Sequence, residues 1–189
     1  MRVAVPAEHM DNPIGYVTTH FARPITAAAM AFSTATYQPR EVSLREFEAA
    51  RKRTADINGC AVCKSWRSAR DLPDYMSFFG KAGEQHVASD TSNAPDDLFY
   101  DQVIDWRTSP IFTTRERLAI EYAELMGLDP DNLAYNEDFW GRMKAAYNDE
   151  AIVELSYCIA CWIGLGRVTH VLGMDAVCSF APATAEAAE

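Results

Sequence analysis

The chain reads as an all-α protein, a compact helical bundle, on three observations. Apolar residues recur at helical spacing: Phe99, Val103 and Trp106 at i, i+4 and i+7, then Phe139, Met143 and Tyr147 at i, i+4 and i+8. Two capping boxes, Ser43-Leu44-Arg45-Glu46 and Thr113-Thr114-Arg115-Glu116, each mark a helix start, a hydroxyl serving one orphan amide and a glutamate reaching back to another. No alternating run of β-branched residues is long enough for a strand. With 189 residues, 49% of them hydrophobic, the chain can bury one substantial core, so one domain is expected.

Residues 1–40 are expected to form an N-terminal arm and a first helix packing on the core, residues 41–177 the helical domain, and residues 178–189 a flexible tail. The Ser43 box opens a helix with Leu44, Phe47 and Ala50 on its apolar face, running to about Asp56. Asn58-Gly59 breaks it, both residues tolerating positive φ, and a new helix is predicted from Cys60 to about Arg70. Pro73 can open a short helix with Tyr75, Phe78 and Phe79. Residues 83–95 are polar and read as a loop; Asp96-Asp97 and Asp129 to Asp131 read as solvated helix starts. The Thr113 box leads a helix carrying Leu118, Tyr122, Leu125 and Met126 and closed by Gly127. The last helix, Asp149 to Leu172, is apolar nearly all round, as for the centre of a bundle or a subunit interface. Gly164 and Gly166 would admit close neighbours there, and Gly173 stops it.

Charge narrows the function. There are 27 Asp and Glu against 17 Lys and Arg, a formal net charge of -10, and no basic patch. Nucleic acid and anionic membrane surfaces are therefore excluded as partners. The N-terminus lacks the apolar stretch of a secretory signal, and the longest apolar run, Leu155 to Gly166, is short for a bilayer. A cytoplasmic protein is expected. Five cysteines cannot all pair, and in a reducing compartment a Cys-x-x-Cys points to redox or metal chemistry.

The chemistry concentrates in Glu48, Cys60-Ala61-Val62-Cys63 and Arg67. Cysteines at i and i+3 share a helix face and can be bridged, and a helix N-terminus favours the thiolate. Glu48 lies on the preceding helix, where it is either a carboxylate serving the thiols or a solvated surface charge.

Glu48 with Asn58-Gly59-Cys60-Ala61-Val62-Cys63 resembles the cysteine-containing branch of the alkylhydroperoxidase D and carboxymuconolactone decarboxylase superfamily. Phe112 to Ala119 looks like that family's second helix entry, and Glu150 to Gly173 like its closing helix, so the resemblance covers about residues 40 to 175. It implies an oligomeric helical bundle, a homotrimer or homohexamer, with thiol-dependent peroxidase or related thiol-disulfide activity and no cofactor or metal. A small hydroperoxide would be the substrate, and a thiol reductant or adaptor protein would reset the disulfide. Carried over, Cys63 is the attacking thiol, Cys60 the resolving one, and Glu48 the start of a proton relay. Arg67 stands where that branch has histidine; arginine can stabilise a thiolate but cannot shuttle its proton.

Two other readings compete. A decarboxylase-like enzyme could grip a carboxylated lactone with Arg67. A non-enzymatic zinc-binding or oligomeric binding module would enlist Cys158-Ile159-Ala160-Cys161, although that pair reads as mid-helix apolar filling. Among the histidines, His86 reads as a surface residue in the polar loop and His170 as a satisfied core or interface residue.

Overall fold

In the computed structural model, which describes residues 1–38 and 41–176, every regular element is a helix. The tail predicted for 178–189, with Cys178, lies outside the described residues. The N-terminal region holds α1 (Pro13–His20) and α2 (Arg23–Ala35), which pack on each other. The Ser33 hydroxyl of α2 meets the Tyr75 hydroxyl at 2.8 Å, tying this pair of helices to the core.

The organising pair is α3 (Leu44–Asn58) and α7 (Thr114–Leu128). Both capping boxes form: Ser43 and Thr113 accept from the Glu46 and Glu116 amides, and each glutamate accepts from the amide of its own cap. The same two glutamates also join the helices. Arg45 donates to Glu116 and Arg115 to Glu46, each at 2.5 Å, so the two N-termini lie side by side. Further along, Arg53 donates to Glu124 at 2.8 Å, keeping the same register. α3 and α7 therefore run parallel.

Around them lie α4 (Ala61–Ser65), α5 (Ser68–Phe78), α6 (Asp97–Gln102), α8 (Pro130–Ala134), α9 (Glu137–Ala146) and α10 (Asp149–Val171). One core gathers Phe47, Leu72, Met76, Phe139, Met143, Leu155 and Ile159. A second gathers Phe99, Tyr100, Val103, Trp106, Phe112 and Ile120. Each such large apolar side chain contributes roughly 1.5–3 kcal/mol by leaving water.

Four local expectations are revised. The helix predicted from Cys60 to Arg70 is broken, because Trp66 and Arg67 are extended (ψ 139° and 109°). Arg51 takes the carbonyls of Cys63 and Trp66, both at 2.8 Å, and so satisfies acceptors that a continuing helix would have used. Pro73 lies inside α5, which starts five residues earlier, rather than opening a helix. Gly127 is within α7, which closes at Leu128. The helix expected from Phe99 to Trp106 is α6 followed by a tight 3-10 turn, Val103–Asp105.

The last helix behaves as two faces. Leu155, Cys158, Ile159 and Cys161 are buried, and Gly166 lets Asn58 approach to 2.5 Å of the position a Cβ would take. Val153, Tyr157, Val168 and Val171 are exposed, and nothing lies within 4 Å of the corresponding position on Gly164. In length and mean hydropathy α10 would suffice to cross a bilayer; here it packs against α2, α3 and α7.

Candidate redox site

Cys60 and Cys63 form a disulfide with their Cα atoms 5.3 Å apart. Their placement follows from the chain break before them. Asn58 ends α3 with its side-chain amide on the Trp162 carbonyl at 2.8 Å, and Gly59 turns the chain at φ 74°. Only glycine adopts that region without steric cost. Cys60 then caps α4, its sulfur accepting the Cys63 amide at 3.2 Å. Cys60 is fully buried, whereas Cys63 is partly exposed.

Glu48 is not a solvated surface charge. It is wholly buried and accepts five hydrogen bonds. Arg51 donates through Nε at 2.6 Å and Nη2 at 3.0 Å; the Ser68 hydroxyl at 2.7 Å and its amide at 3.4 Å; and the Tyr100 hydroxyl at 2.6 Å. Burial pushes the carboxyl pKa up, but the Arg51 charge and these hydrogen bonds outweigh it, leaving Glu48 below the usual carboxylate range. Burial lowers Arg51 and Glu48 raises it more, so the guanidinium stays charged. Through Arg51 the pair is anchored to the Cys63 carbonyl, which is the contact joining Glu48 to the cysteines.

Arg67 is drawn into the same cluster by Tyr100. Its guanidinium carbon sits 3.8 Å from the Tyr100 ring centroid, stacked over the phenol that donates to Glu48. Its Nη1 donates to the Lys64 and Trp66 carbonyls at 2.9 and 3.0 Å, and Asp97 lies 3.7 Å from Nε. Nη1 is thus committed to the backbone around α4, while Nε is buried with no hydrogen-bond partner among the described residues. Burial and the neighbouring Glu48 charge hold the Tyr100 hydroxyl well above its ordinary pKa.

All four residues singled out in the sequence are brought together, Glu48 to Cys63 through Arg51 and Glu48 to Arg67 through Tyr100. Sequence reasoning missed Arg51, Ser68 and Tyr100. Arg51 was legible in principle, three residues after Glu48 and on the same helix face.

A second missed feature lies on the other side of the pair. The turn after α10 places the Asp175 carboxylate on the Ala61 amide at 2.8 Å and on His170 Nδ1 at 2.9 Å. His170 Nε2 lies 3.2 Å from where a Cβ on Gly59 would be, so the imidazole rests against the residue preceding Cys60. His170, expected as a core or interface residue, is half exposed in the single chain, at 49% of its side chain. Burial raises the Asp175 pKa, and the Ala61 amide and His170 more than reverse it.

Cys158 and Cys161 are buried thiols; burial, with Cys158 beside it, raises the Cys161 pKa to about 12, so it is an inert thiol at neutral pH. Among the described residues no group of three His, Cys, Asp or Glu side chains converges as a metal site. A cleft of about 500 Å³ between α5 and residues 82–89 is lined by Pro73, Met76 and His86 and by neither cysteine of the disulfide.

Fold and cysteine pair together define the class: a compact all-α protein carrying a Cys-x-x-Cys pair closed as a disulfide. Among solved structures, the chain is similar to a protein of unknown function from Agrobacterium tumefaciens, provisionally described as the antioxidant defence protein AhpD. The TM-score is 0.60 at 19% identity, over 84% of this chain and 92% of that one. It also shares 39% identity over 57 residues with the uncharacterised protein YnjA of Escherichia coli K12. That match spans 30% of each chain. No protein-family model matches.

Proposed function

We propose that the protein is a thiol-dependent peroxidase, a small-hydroperoxide reductase that cycles Cys60 and Cys63 between dithiol and disulfide. The observation that carries this reading is the unequal exposure of a bonded pair: Cys60 is sealed and Cys63 is open to solvent. An incoming oxidant therefore meets Cys63 first, and the resolving sulfur waits behind it.

In the forward reaction the Cys63 thiolate attacks the peroxide; an S–O bond forms, the O–O bond breaks, and the departing alkoxide takes a proton to become an alcohol. Cys60 then attacks the resulting sulfenic acid, the S–S bond forms, and the hydroxyl leaves as water. An external dithiol returns the two electrons. Arg51 fixes the Cys63 carbonyl, and Glu48 holds Arg51, so Glu48 acts by positioning α4. Arg67 supplies positive charge beside the pair without moving a proton. We further propose a cytoplasmic homo-oligomer, supported by the exposed apolar residues Val153, Tyr157, Val168 and Val171 on one helix.

The test is single-turnover oxidation of the reduced protein by an alkyl hydroperoxide. Cys63→Ser should abolish consumption, and Cys60→Ser should yield a sulfenic acid trappable by dimedone. Consumption undiminished in Cys63→Ser would discard the proposal.

A further inference from the structure

Oxidising the pair requires Cys60, fully buried, to surrender a proton. Neither charged residue read from the sequence can receive it. Arg67 stays protonated, and Glu48 is filled by five donors. His9 and His20 stack with Tyr16 on the N-terminal segment, and His86 lines the distant-loop cleft without either cysteine of the disulfide. His170 is different, because its ring lies against Gly59 and its partner Asp175 holds the Ala61 amide, so the dyad brackets Cys60 on both sides along the chain.

We propose that His170, oriented by Asp175, is the proton exchanger of the cysteine pair: it takes the proton from Cys60 as the disulfide closes and returns it when the disulfide opens. Asp175 is the positioning residue. Its carboxylate can only accept, so Nδ1 carries the hydrogen and Nε2, the nitrogen facing the Gly59–Cys60 segment, is left as the base. The exposure of the ring gives the proton a way to bulk water. Of the charged groups towards this end of the neighbouring elements, Arg167 on α10 donates to Asn58 and the Gly127 carbonyl, Lys52 and Asp56 on α3 pair with each other, and Lys64 lies on α4. The Met1 ammonium and Arg2 also lie nearby, on the segment docked at Leu172 and Gly173. Asp175 is the group hydrogen-bonded to the imidazole.

This inference rests on the redox reading of the site but concerns the closing step alone, and that step has the same chemistry with two oxidants. With a hydroperoxide, Cys60 displaces hydroxide from the Cys63 sulfenic acid, and His170 delivers to it the proton taken from Cys60, giving water. With glutathione disulfide, Cys63 first forms a mixed disulfide, releasing one glutathione thiolate. Cys60 then displaces the second glutathione as its thiolate, and His170 protonates it. In both, electrons pass from the two cysteines to the oxidant, and one S–S bond within the protein replaces the bond broken.

The experiment follows the closing step in the reduced full-length protein with tert-butyl hydroperoxide and, separately, glutathione disulfide, across a pH series. His170→Asn keeps a hydrogen bond to Asp175 but holds no exchangeable proton of the right basicity. It should slow closure about 100-fold, a typical general acid–base contribution. The Cys63 adduct should accumulate, and the rise of closure rate with pH near neutrality should be lost, while the first attack by Cys63 stays unchanged. One oxygen of Asp175 takes both the Ala61 amide and Nδ1, so Asp175→Asn can keep both hydrogen bonds while removing the charge that supports a protonated imidazole; it should slow closure about 10-fold or more. It serves as the second variant if His170→Asn fails to fold by circular dichroism. Wild-type rates and an unchanged pH profile in both variants would overturn the inference while leaving the proposed function intact. If the wild type reacts with glutathione disulfide but not with hydroperoxide, the peroxidase reading fails, and the His170 dependence of closure still decides the inference.

Discussion

Replacing Arg51 with methionine is the most informative single change, because Arg51 serves two structures at once. Glu48 has no exposed surface, and Arg51 supplies two of its five hydrogen bonds and, among the described residues, the only formal positive charge in direct contact with it. Removing one member of a buried ion pair typically costs about 3–5 kcal/mol, because the other charge is stranded. The Cys63 carbonyl also loses its arginine donor, at about 1 kcal/mol, and the Trp66 carbonyl loses one donor while keeping Arg67, at a smaller cost. A loss of about 4–6 kcal/mol is expected at neutral pH, a large share of the roughly 5–15 kcal/mol that holds a domain together.

The pH dependence separates the two parts. In the native protein Glu48 has a lowered pKa, so its contribution is present above the unfolded carboxylate pKa and fades only as pH falls through the lower folded value. Without Arg51, burial alone acts and the folded pKa rises above the unfolded one. The variant then takes up a proton on folding, and its deficit shrinks as pH falls to about 5, leaving mainly the carbonyl losses. Urea unfolding of both proteins at neutral pH and at about pH 5 measures this. Adding Glu48→Gln to Arg51→Met should recover about 1–2 kcal/mol at neutral pH, since the stranded charge is gone. A deficit below about 1 kcal/mol, or one equal at both pH values, would refute the account of Glu48 as a charge held by Arg51.

Other expectations test neighbouring parts of the site. Tyr100→Phe removes a donor to a charged acceptor and should cost about 1.5–3 kcal/mol in denaturant unfolding, with Glu48 titrating higher in its carbon-detected NMR signal. Gly59→Ala places a methyl 3.2 Å from His170 Nε2 at a backbone φ of 74°. It should cost about 1–2 kcal/mol and shift the imidazole resonances, whereas the exposed Gly141→Ala should do neither. Asp175 has a lowered pKa, so the stability it supplies is complete above the unfolded aspartate value and lost as pH falls below it. Asp175→Asn should therefore flatten the acid limb of the stability curve. Alkylation under native conditions should label Cys63 of the reduced protein within minutes and leave Cys161 unmodified until unfolding.

Much of this was legible in the chain because the signals are local. The two capping boxes set the starts of α3 and α7 without reference to anything distant, and Asn58-Gly59 can hardly be other than a helix end. What stayed hidden depends on contacts far apart in sequence. Arg45 and Glu116 show no relation until their helices lie parallel, and nothing within residues 60–70 announces that Arg51 will take the carbonyls that break the helix at Trp66. Pro73 misled for the opposite reason: it is a strong local signal, overridden because α5 begins earlier, where the Ser68 hydroxyl and amide are held by buried Glu48. His170 reads in sequence as a core or interface residue because the helix that carries it is apolar nearly all round. Its position one residue before the helix end, with Gly173 reversing the chain, is what exposes it and brings Asp175 back onto the Ala61 amide between the cysteines.

The arginine at position 67 changes meaning once these contacts are assembled. Seen in sequence, it is a proton carrier replaced by a residue that cannot carry protons. In the fold it is one wall of a closed cluster, in which Arg67 lies on Tyr100, Tyr100 donates to Glu48, Glu48 holds Arg51, and Arg51 holds the carbonyl of Cys63. A cluster of fixed charges with every carboxylate oxygen occupied suits orientation and poorly suits proton movement, since each transfer would strand a buried charge. The opposite side of the disulfide has what this side lacks: an imidazole with one nitrogen committed to a carboxylate, the other uncommitted among the described residues, and solvent within reach. Positioning and proton exchange are thereby divided between two faces of the same four-residue loop. The division has a measurable consequence. Variants of the Glu48 cluster should change stability more than pH profile, and variants of the His170 pair should change pH profile more than stability.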